Sequence, residues 1–323
     1  MTSAPPPAES GETTTGHGGS HKAVFAALLA NVCIAVSKLV GFALTGSSSM
    51  GSEAAHSIVD CGNQLLLLTG AKKASRPADA QHPFGHGAET FFWAFLVAVA
   101  LFGIGAVYSA YEGVAKLRHP GTVDHAAVAF GILLVAMVLE GMSFRTAVKE
   151  SNKSRKGSWP GFIRDTKDPD LAVVLLEDSA ALVGLTFALL GLGLSTLTGN
   201  TAFDGVASLL IAAVLATVAI ILGREMKSLL VGEAARPEEL AAITAAILAV
   251  AVFDRVIYVR TTQLSPDEIL VAAKVAVDGN TRAADVAEGV DEAERRVRAA
   301  VPAAKYIFIE PDIEHAVPAP NQG

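Results

Sequence analysis

The sequence predicts a membrane all-α bundle of six transmembrane helices followed by a small soluble α+β domain. Three observations carry that expectation: six apolar windows of membrane length, a change of composition after Arg224, and an α-β-β-α-β order of periodicities from there to the C-terminus. Apolar residues make up 51% of the chain and its mean hydropathy is positive, which suits a polytopic membrane protein better than a soluble domain. The net charge of -7 leaves no basic footprint, so nucleic acid is not an expected partner. Cys33 and Cys61 both fall in apolar windows and read as packed thiols rather than a disulfide framework.

The windows cover about 23–46, 50–70, 88–116, 124–148, 171–196 and 202–223, each near the ~20 residues that span the hydrocarbon core. The second and fifth are the least apolar. Their connections alternate in charge. Residues 47–49 and 197–201 carry none, whereas 71–87 holds Lys72, Lys73 and Arg76, and 149–170 holds Lys149, Lys153, Arg155, Lys156, Arg164 and Lys167. The positive-inside rule therefore puts the basic loops and both termini in the cytoplasm. Residues 1–20 are rich in Pro, Gly, Ser and Thr without an apolar core, and read as a disordered tail rather than a signal or transit peptide. With the alanine-rich bias, this favours a bacterial plasma membrane.

Beyond Arg224, Pro237 to Val250 predicts an amphipathic helix with Pro at its start and acids in its first turn. Strands are expected at Val256 to Leu264 and Glu268 to Val277, around a Ser-Pro-Asp turn. Thr281 to Val301 has a helical period with Asn280 as its cap, and Lys305 to Ile309 is a last strand. The domain spans 224–316, and 317–323 is a flexible tail. Its sheet needs helices on one face, and a second copy of the chain could serve as a packing partner.

Within the second window, Glu53, His56, Asp60 and Asn63 fall on one helical face and form a polar stripe. A carboxylate at mid-membrane costs roughly 2.5–3.5 kcal/mol on insertion scales, so such a stripe is a candidate ion path. The alternatives are a solvated segment or an interhelical hydrogen-bond cluster, and the burial cost weighs against both. The fifth window supplies adjacent acids, Glu177 and Asp178, among small residues that permit close helix approach. Neighbouring positions lie about 100° apart, so one of the two is expected to stand behind the other.

His56, Asp60 and Asp178 together offer one imidazole and carboxylate oxygens. This donor set suits zinc, with Fe, Co, Ni or Mn as further candidates, and disfavours a pure calcium or magnesium cage. Metal binding needs a neutral imidazole and ionised carboxylates, so protons and metal compete for the same groups.

Further pieces carry a resemblance: Gly46-Ser-Ser-Ser-Met-Gly-Ser-Glu-Ala-Ala-His56-Ser-Ile-Val-Asp60, Arg76-Pro-Ala-Asp79 with His82-Pro-Phe-Gly-His-Gly87, Glu89-Thr-Phe-Phe-Trp-Ala-Phe95, and Asp204-Gly opening the sixth window. From about His21 to His315 the chain resembles the cation diffusion facilitators. The resemblance implies six transmembrane helices, a cytoplasmic ferredoxin-like domain, homodimers formed through that domain, and export of divalent metal against protons. No resident cofactor is implied; the metal is cargo. Family members with an Asp-x-x-x-Asp second helix carry His-x-x-x-Asp on the fifth, whereas this chain has His56-x-x-x-Asp60 and Val174-x-x-x-Asp178. That exchange resembles the zinc transporter 9-like branch and implies Glu177 as the replacement for the ligand lost at Val174. The implied metal set is His56, Asp60, Asp178 and Glu177.

Other polar positions have two readings each. His82 and His86 could capture ions at the inner mouth, but Pro83, Gly85 and Gly87 more simply define a turn with exposed histidines. Glu310-Pro-Asp312 resembles a strand end where some relatives bind regulatory zinc, yet no histidine lies between Arg224 and Glu314, so dimerisation rather than sensing is expected there. Lys38 could pair with Glu53 or Glu140, line the path, or snorkel. Asn31 could line the path or bond a neighbouring helix, and Asp204 reads as an acid at its own helix start. An intramembrane enzyme would lack His-Glu-x-x-His or a nucleophile-base pair, while a non-transporting metal sensor or scaffold stays open.

Overall fold

The structure, a computed structural model, describes residues 17–119, 125–155 and 157–313, with side chains described from Asn31 onward except at 102, 154 and 165. Residues 1–16 of the expected N-terminal tail, the end of the expected soluble domain at 314–316 with His315, and the expected tail 317–323 lie outside the described residues. Residues 17–20, expected in the tail, are helical.

The long helices are α1 (His17–Thr45), α2 (Ser48–Ala74), a run of α3 (Glu89–Ala100), a π-helical turn (Leu101–Ala106) and α4 (Val107–Arg118), then α5 (Ala126–Ser154), α7 (Pro169–Thr198) and α8 (Ala202–Val231). The run Glu89–Arg118, α5, α7 and α8 are long and apolar enough to cross a membrane, and α1 contributes a shorter apolar stretch, Asn31–Thr45. α2 is held out of that class by its own polar stripe. A short helix, α6 (Trp159–Asp165), sits inside what the sequence reads as a plain basic loop. Ser158 caps it by accepting from the Gly161 amide, and Pro160 suits its first turn.

Two helices outrun their windows. α8 continues past 223 because Leu222, Met226 and Leu229 keep a buried face while Arg224 and Lys227 stay exposed. α2 continues to Ala74 with Lys72 and Lys73 in its last turn, where cations oppose the helix dipole. Glycines set the closest helix approaches. A Cβ on Gly191 of α7 would overlap the Ala207 Cβ of α8, and one on Gly113 of α4 would lie 2.8 Å from the Gly205 carbonyl oxygen of α8. The bundle core, with Met50, Phe91, Leu133, Leu185, Leu192 and Leu222 fully buried, fills the space between these contacts.

The soluble domain runs α9 (Pro237–Leu248), β1 (Arg255–Ser265), β2 (Glu268–Val277), α10 (Ala283–Ala300) and β3 (Ala304–Ile313), in the order the sequence predicts. β1 and β2 form an antiparallel hairpin, and β3 joins β2 in parallel after the α10 crossover, giving the sheet order β1-β2-β3. β2 alternates, with Ile269, Val271, Ala273 and Val275 buried against Ile243 and Ile247 of α9 and Ala293 and Val297 of α10. Asn280 does not cap α10. Arg282 takes the cap position without a side-chain bond, because Asn280 is held in a turn by the Asp278 carboxylate.

The domain docks at the bundle end where α2, α5 and α8 finish and α7 starts. Lys167, just before α7, pairs with Glu233, and Phe84 in the α2–α3 loop meets Tyr306 of β3 edge-on at 5.1 Å. A Cβ on Gly87 would overlap the Ser265 Cβ, so the histidine loop is pressed on the β1–β2 turn.

Candidate functional site

The polar stripe of α2 faces inward as the periodicity requires: Glu53, His56, Asp60 and Asn63 are all buried. His56 Nδ1 lies 3.5 Å from Asp60 Oδ1, one turn along. Neither His56 ring nitrogen, nor Asp60 Oδ1, nor Asn63 Oδ1 has a hydrogen-bond partner among the described residues. Buried polar atoms without partners are costly and uncommon in folded proteins, and here four of them share one helix face.

Both acids of α7 reach the same cavity, of about 230 Å³, whose walls include Asp60, Glu140, Ser143, Glu177 and Asp178. Their order departs from the sequence expectation. Glu177 accepts from Asn63 Nδ2 at 2.9 Å and lines the same cavity as Asp60. Asp178 turns toward α5 and accepts from Ser143 Oγ at 2.9 Å. The acid on α7 that meets the α2 stripe is thus Glu177, and its extra methylene and the rotational setting of α7 are what permit it. That setting is tight, since a Cβ on Gly184, two turns further on, would lie 2.5 Å from Glu53 Oε1.

His56 stands beside Asp60 rather than in the cavity wall. Among the described residues, no three of His56, Asp60, Glu177 and Asp178 bring ligand atoms within 4.8 Å of one another. Glu140 of α5, Asn31 of α1 and Gln64 of α2 also line it. From sequence Glu140 reads only as a partner for Lys38, although an acid in an apolar window was signal enough to put it in the path. Of the two acids expected to pair with it, Lys38 bonds Glu53, at 2.9 Å, with both side chains fully buried.

The group that does converge is outside the bundle: Asp79, His82 and His86, with ligand atoms within 4.8 Å of one another. Asp79 accepts from the backbone amides of His82 and Gln81 at 2.7 and 2.8 Å and lies 3.1 Å from His86 Nε2. The His82 amide and then the His86 ring pull the Asp79 carboxyl down to about 2. The turn reading of this loop therefore holds for its backbone, but the turn also gathers an acid and two imidazoles. Asp79 does not stand out from the sequence as a member of this triad.

Asp204 does more than the sequence suggests. It lies in the first turn of its own helix, as expected, but its hydrogen bonds go elsewhere. Its carboxylate accepts from the Ser48 and Ser49 amides at 2.7 and 3.3 Å and from the hydroxyls of Ser47, Ser48 and Ser49, so it caps the start of α2. Beneath it Ser52 and Ser208 bond each other, and Ser208 donates to the Ser109 carbonyl of α4 at 2.9 Å. In the soluble domain Glu310 and Asp312 lie 3.2 and 3.0 Å from Lys274 Nζ, whose pKa they raise.

Fold and site together describe an integral membrane protein with several carboxylates gathered inside its helical bundle and a small α+β domain at one end. Residues 24–231 match the family description "Cation efflux transmembrane domain", and residues 235–313 match "Cation efflux protein, cytoplasmic domain". The chain belongs to the cation efflux family. It is similar to the proton-coupled zinc antiporter SLC30A9, mitochondrial, of Xenopus laevis, with 31% identity over 264 residues, covering 81% of this chain and 47% of that protein. The human protein of the same name is 32% identical over the same length, covering 81% and 46%. Metal tolerance protein C4 of Arabidopsis thaliana is 28% identical over 271 residues, covering 80% of this chain and 58% of that protein. The chain spans about half the length of these relatives.

Proposed function

We propose that this protein is a proton-coupled antiporter that exports a divalent metal cation, zinc first, from the cytoplasm. The observation that carries the reading is the buried His56–Asp60 pair on α2, whose ring nitrogens and Oδ1 have no hydrogen-bond partner among the described residues, beside the cavity that Asp60, Glu177 and Asp178 line. Asp60, Glu177, Asp178 and His56 hold the ion after a small approach of α2 and α7, and protons replace it on the same atoms. Asp60 and Glu177 line one cavity from facing helices, so an arriving dication meets carboxylates of both. The names of the zinc antiporter relatives support both the cargo and the coupling.

All six long helical runs cross the membrane in this reading, α2 included, because its charges are turned inward. Both termini and the soluble domain are cytoplasmic, the membrane is a bacterial plasma membrane, and the chain dimerises through the soluble domain. Asp79, His82 and His86 capture the ion at the cytoplasmic mouth. Four carboxylates against one imidazole in and beside the cavity favour a second reading of the cargo, in which Fe, Mn or Co is preferred.

The deciding experiment is metal flux into proteoliposomes with zinc, manganese, iron and cobalt in parallel, with and without an imposed proton gradient. Zinc uptake that rises with an acid-inside gradient and collapses with it is the expected result. Gradient-independent flux argues for a uniporter. No flux of any metal argues for a sensor or scaffold.

A further inference from the structure

A cavity of about 660 Å³ lies between α5, α6, α7 and α8 at the bundle end that carries the soluble domain, and the transport reading makes no use of it. Its walls are apolar, with Phe144, Ile163 and Leu175 among them, and its mouth holds Trp159, Arg164 and Arg224. The size is within the roughly 300–1,000 Å³ of small-ligand sites. Three features fix its depth. α8 stops being apolar at Arg224, Trp159 is 36% exposed, and α6 lies between two membrane-length helices. Tryptophan and arginine in such a place mark the boundary between acyl chains and headgroups.

The charge at the mouth is the informative part. Arg155 stacks over the Trp159 ring at 4.4 Å, so its cation is in use. Arg164 and Arg224 are exposed, and neither has a carboxylate partner among the described residues. Glu225, the acid in the lining, has a partner of its own. Arginines that merely snorkel from a convex helix surface would not border a recess of this volume. A recess lined by apolar side chains and rimmed by two guanidinium groups without a carboxylate partner among the described residues is complementary to an acyl chain below and a phosphate above.

We propose that this groove is a binding site for an anionic phospholipid, with an acyl chain between α5 and α7 and its phosphate on Arg164 and Arg224. Leu175, Leu176 and Ser179 of α7 form one wall, while Glu177 and Asp178 face the ion cavity on the other side of the same helix. The lipid thus packs against the back of the segment that carries both acids.

The chain has two tryptophans, Trp93 and Trp159, so Trp93→Phe leaves Trp159 as a sole reporter at the mouth of the groove. The full-length Trp93→Phe protein is reconstituted into phosphatidylcholine bilayers in which a minor fraction is either brominated phosphatidylglycerol or brominated phosphatidylcholine. Quenching of Trp159 should report local enrichment of the anionic lipid on the order of tenfold over its bulk fraction, as two arginines facing an anionic headgroup supply. Arg164→Gln/Arg224→Gln should remove that preference while leaving quenching by brominated phosphatidylcholine unchanged, which shows the protein still folded and inserted. Arg164→Lys/Arg224→Lys should retain most of it. Equal quenching by the two lipids in the arginine protein, or a preference that survives the glutamine pair, overturns the site.

Discussion

Lys38 Nζ lies 2.9 Å from Glu53 Oε2, and both side chains are fully withdrawn from solvent. The pair ties α1 to α2 one turn from His56, and it leaves Glu53 Oε1 without a hydrogen bond. Removing one partner of a buried pair strands the other charge, which costs on the order of 3–5 kcal/mol, whereas removing both is close to neutral. Lys38→Met is therefore expected to lower the unfolding midpoint in detergent sharply, and Lys38→Met/Glu53→Gln to recover most of the loss. A double variant no more stable than the single one would show that the pair is not the unit.

Glu177→Gln is expected to reduce zinc flux at least as much as Asp178→Asn. The reason is contact: Glu177 bonds Asn63 of the α2 stripe, while Asp178 is turned to Ser143 of α5. Flux assays on both variants in one vesicle preparation check this. Near wild-type flux in Glu177→Gln, with Asp178→Asn inactive, would mean that α7 rotates before it binds the ion.

Asp204→Asn should destabilise the bundle. The amide keeps one acceptor oxygen and turns an NH₂ group toward donors on Ser47, Ser48 and Ser49. Each hydrogen bond to a charged group is worth about 1.5–3 kcal/mol, so the loss should appear as a lowered thermal midpoint. Metal affinity at the loop triad, at the other end of α2, should not change.

Isothermal titration should find a zinc site that is weakened by His86→Ala and by Asp79→Asn. Asp79 has its folded pKa near 2, depressed below the ~3.9 of a free aspartate. Its contribution to loop stability is complete above that unfolded value and is lost as pH falls through about 2. Acid weakening of zinc binding above pH 4 is therefore not the work of Asp79. Loss that tracks Asp79 alone, with His82→Ala and His86→Ala binding normally, would count against the triad.

Much of the architecture was legible in the sequence because the membrane makes polar residues conspicuous. The α2 stripe stood out since each of its members would be expensive on a lipid face, and the structure buries all of them. The soluble domain announced itself by period alone. Rotations and long-range partners were not legible. Whether Glu177 or Asp178 meets the α2 stripe depends on the seating of α7 against Glu53 and Ala207 through Gly184 and Gly191, which no local pattern encodes. Asp204 opens α8 as a local acid should, yet its bonds run to serines more than a hundred and fifty residues earlier. The loop triad was hidden for the opposite reason, because turn chemistry explained its histidines too well.

The Asp204 clamp fixes how leverage works in this bundle. α2 is pinned to α8 at Ser47–Ser49 and, through Ser208, to α4, whereas its far end leads into the loop that rests on the soluble domain. Asp60 lies twelve residues beyond Ser48, about 18 Å along a helix. A swing of only ~10° about the pinned end carries Asp60 sideways by roughly 3 Å, more than the ~2 Å length of a bond from zinc to carboxylate. A small push on the loop end of α2 is thus geared into the making or breaking of coordination. The serine-aspartate knot is the fulcrum.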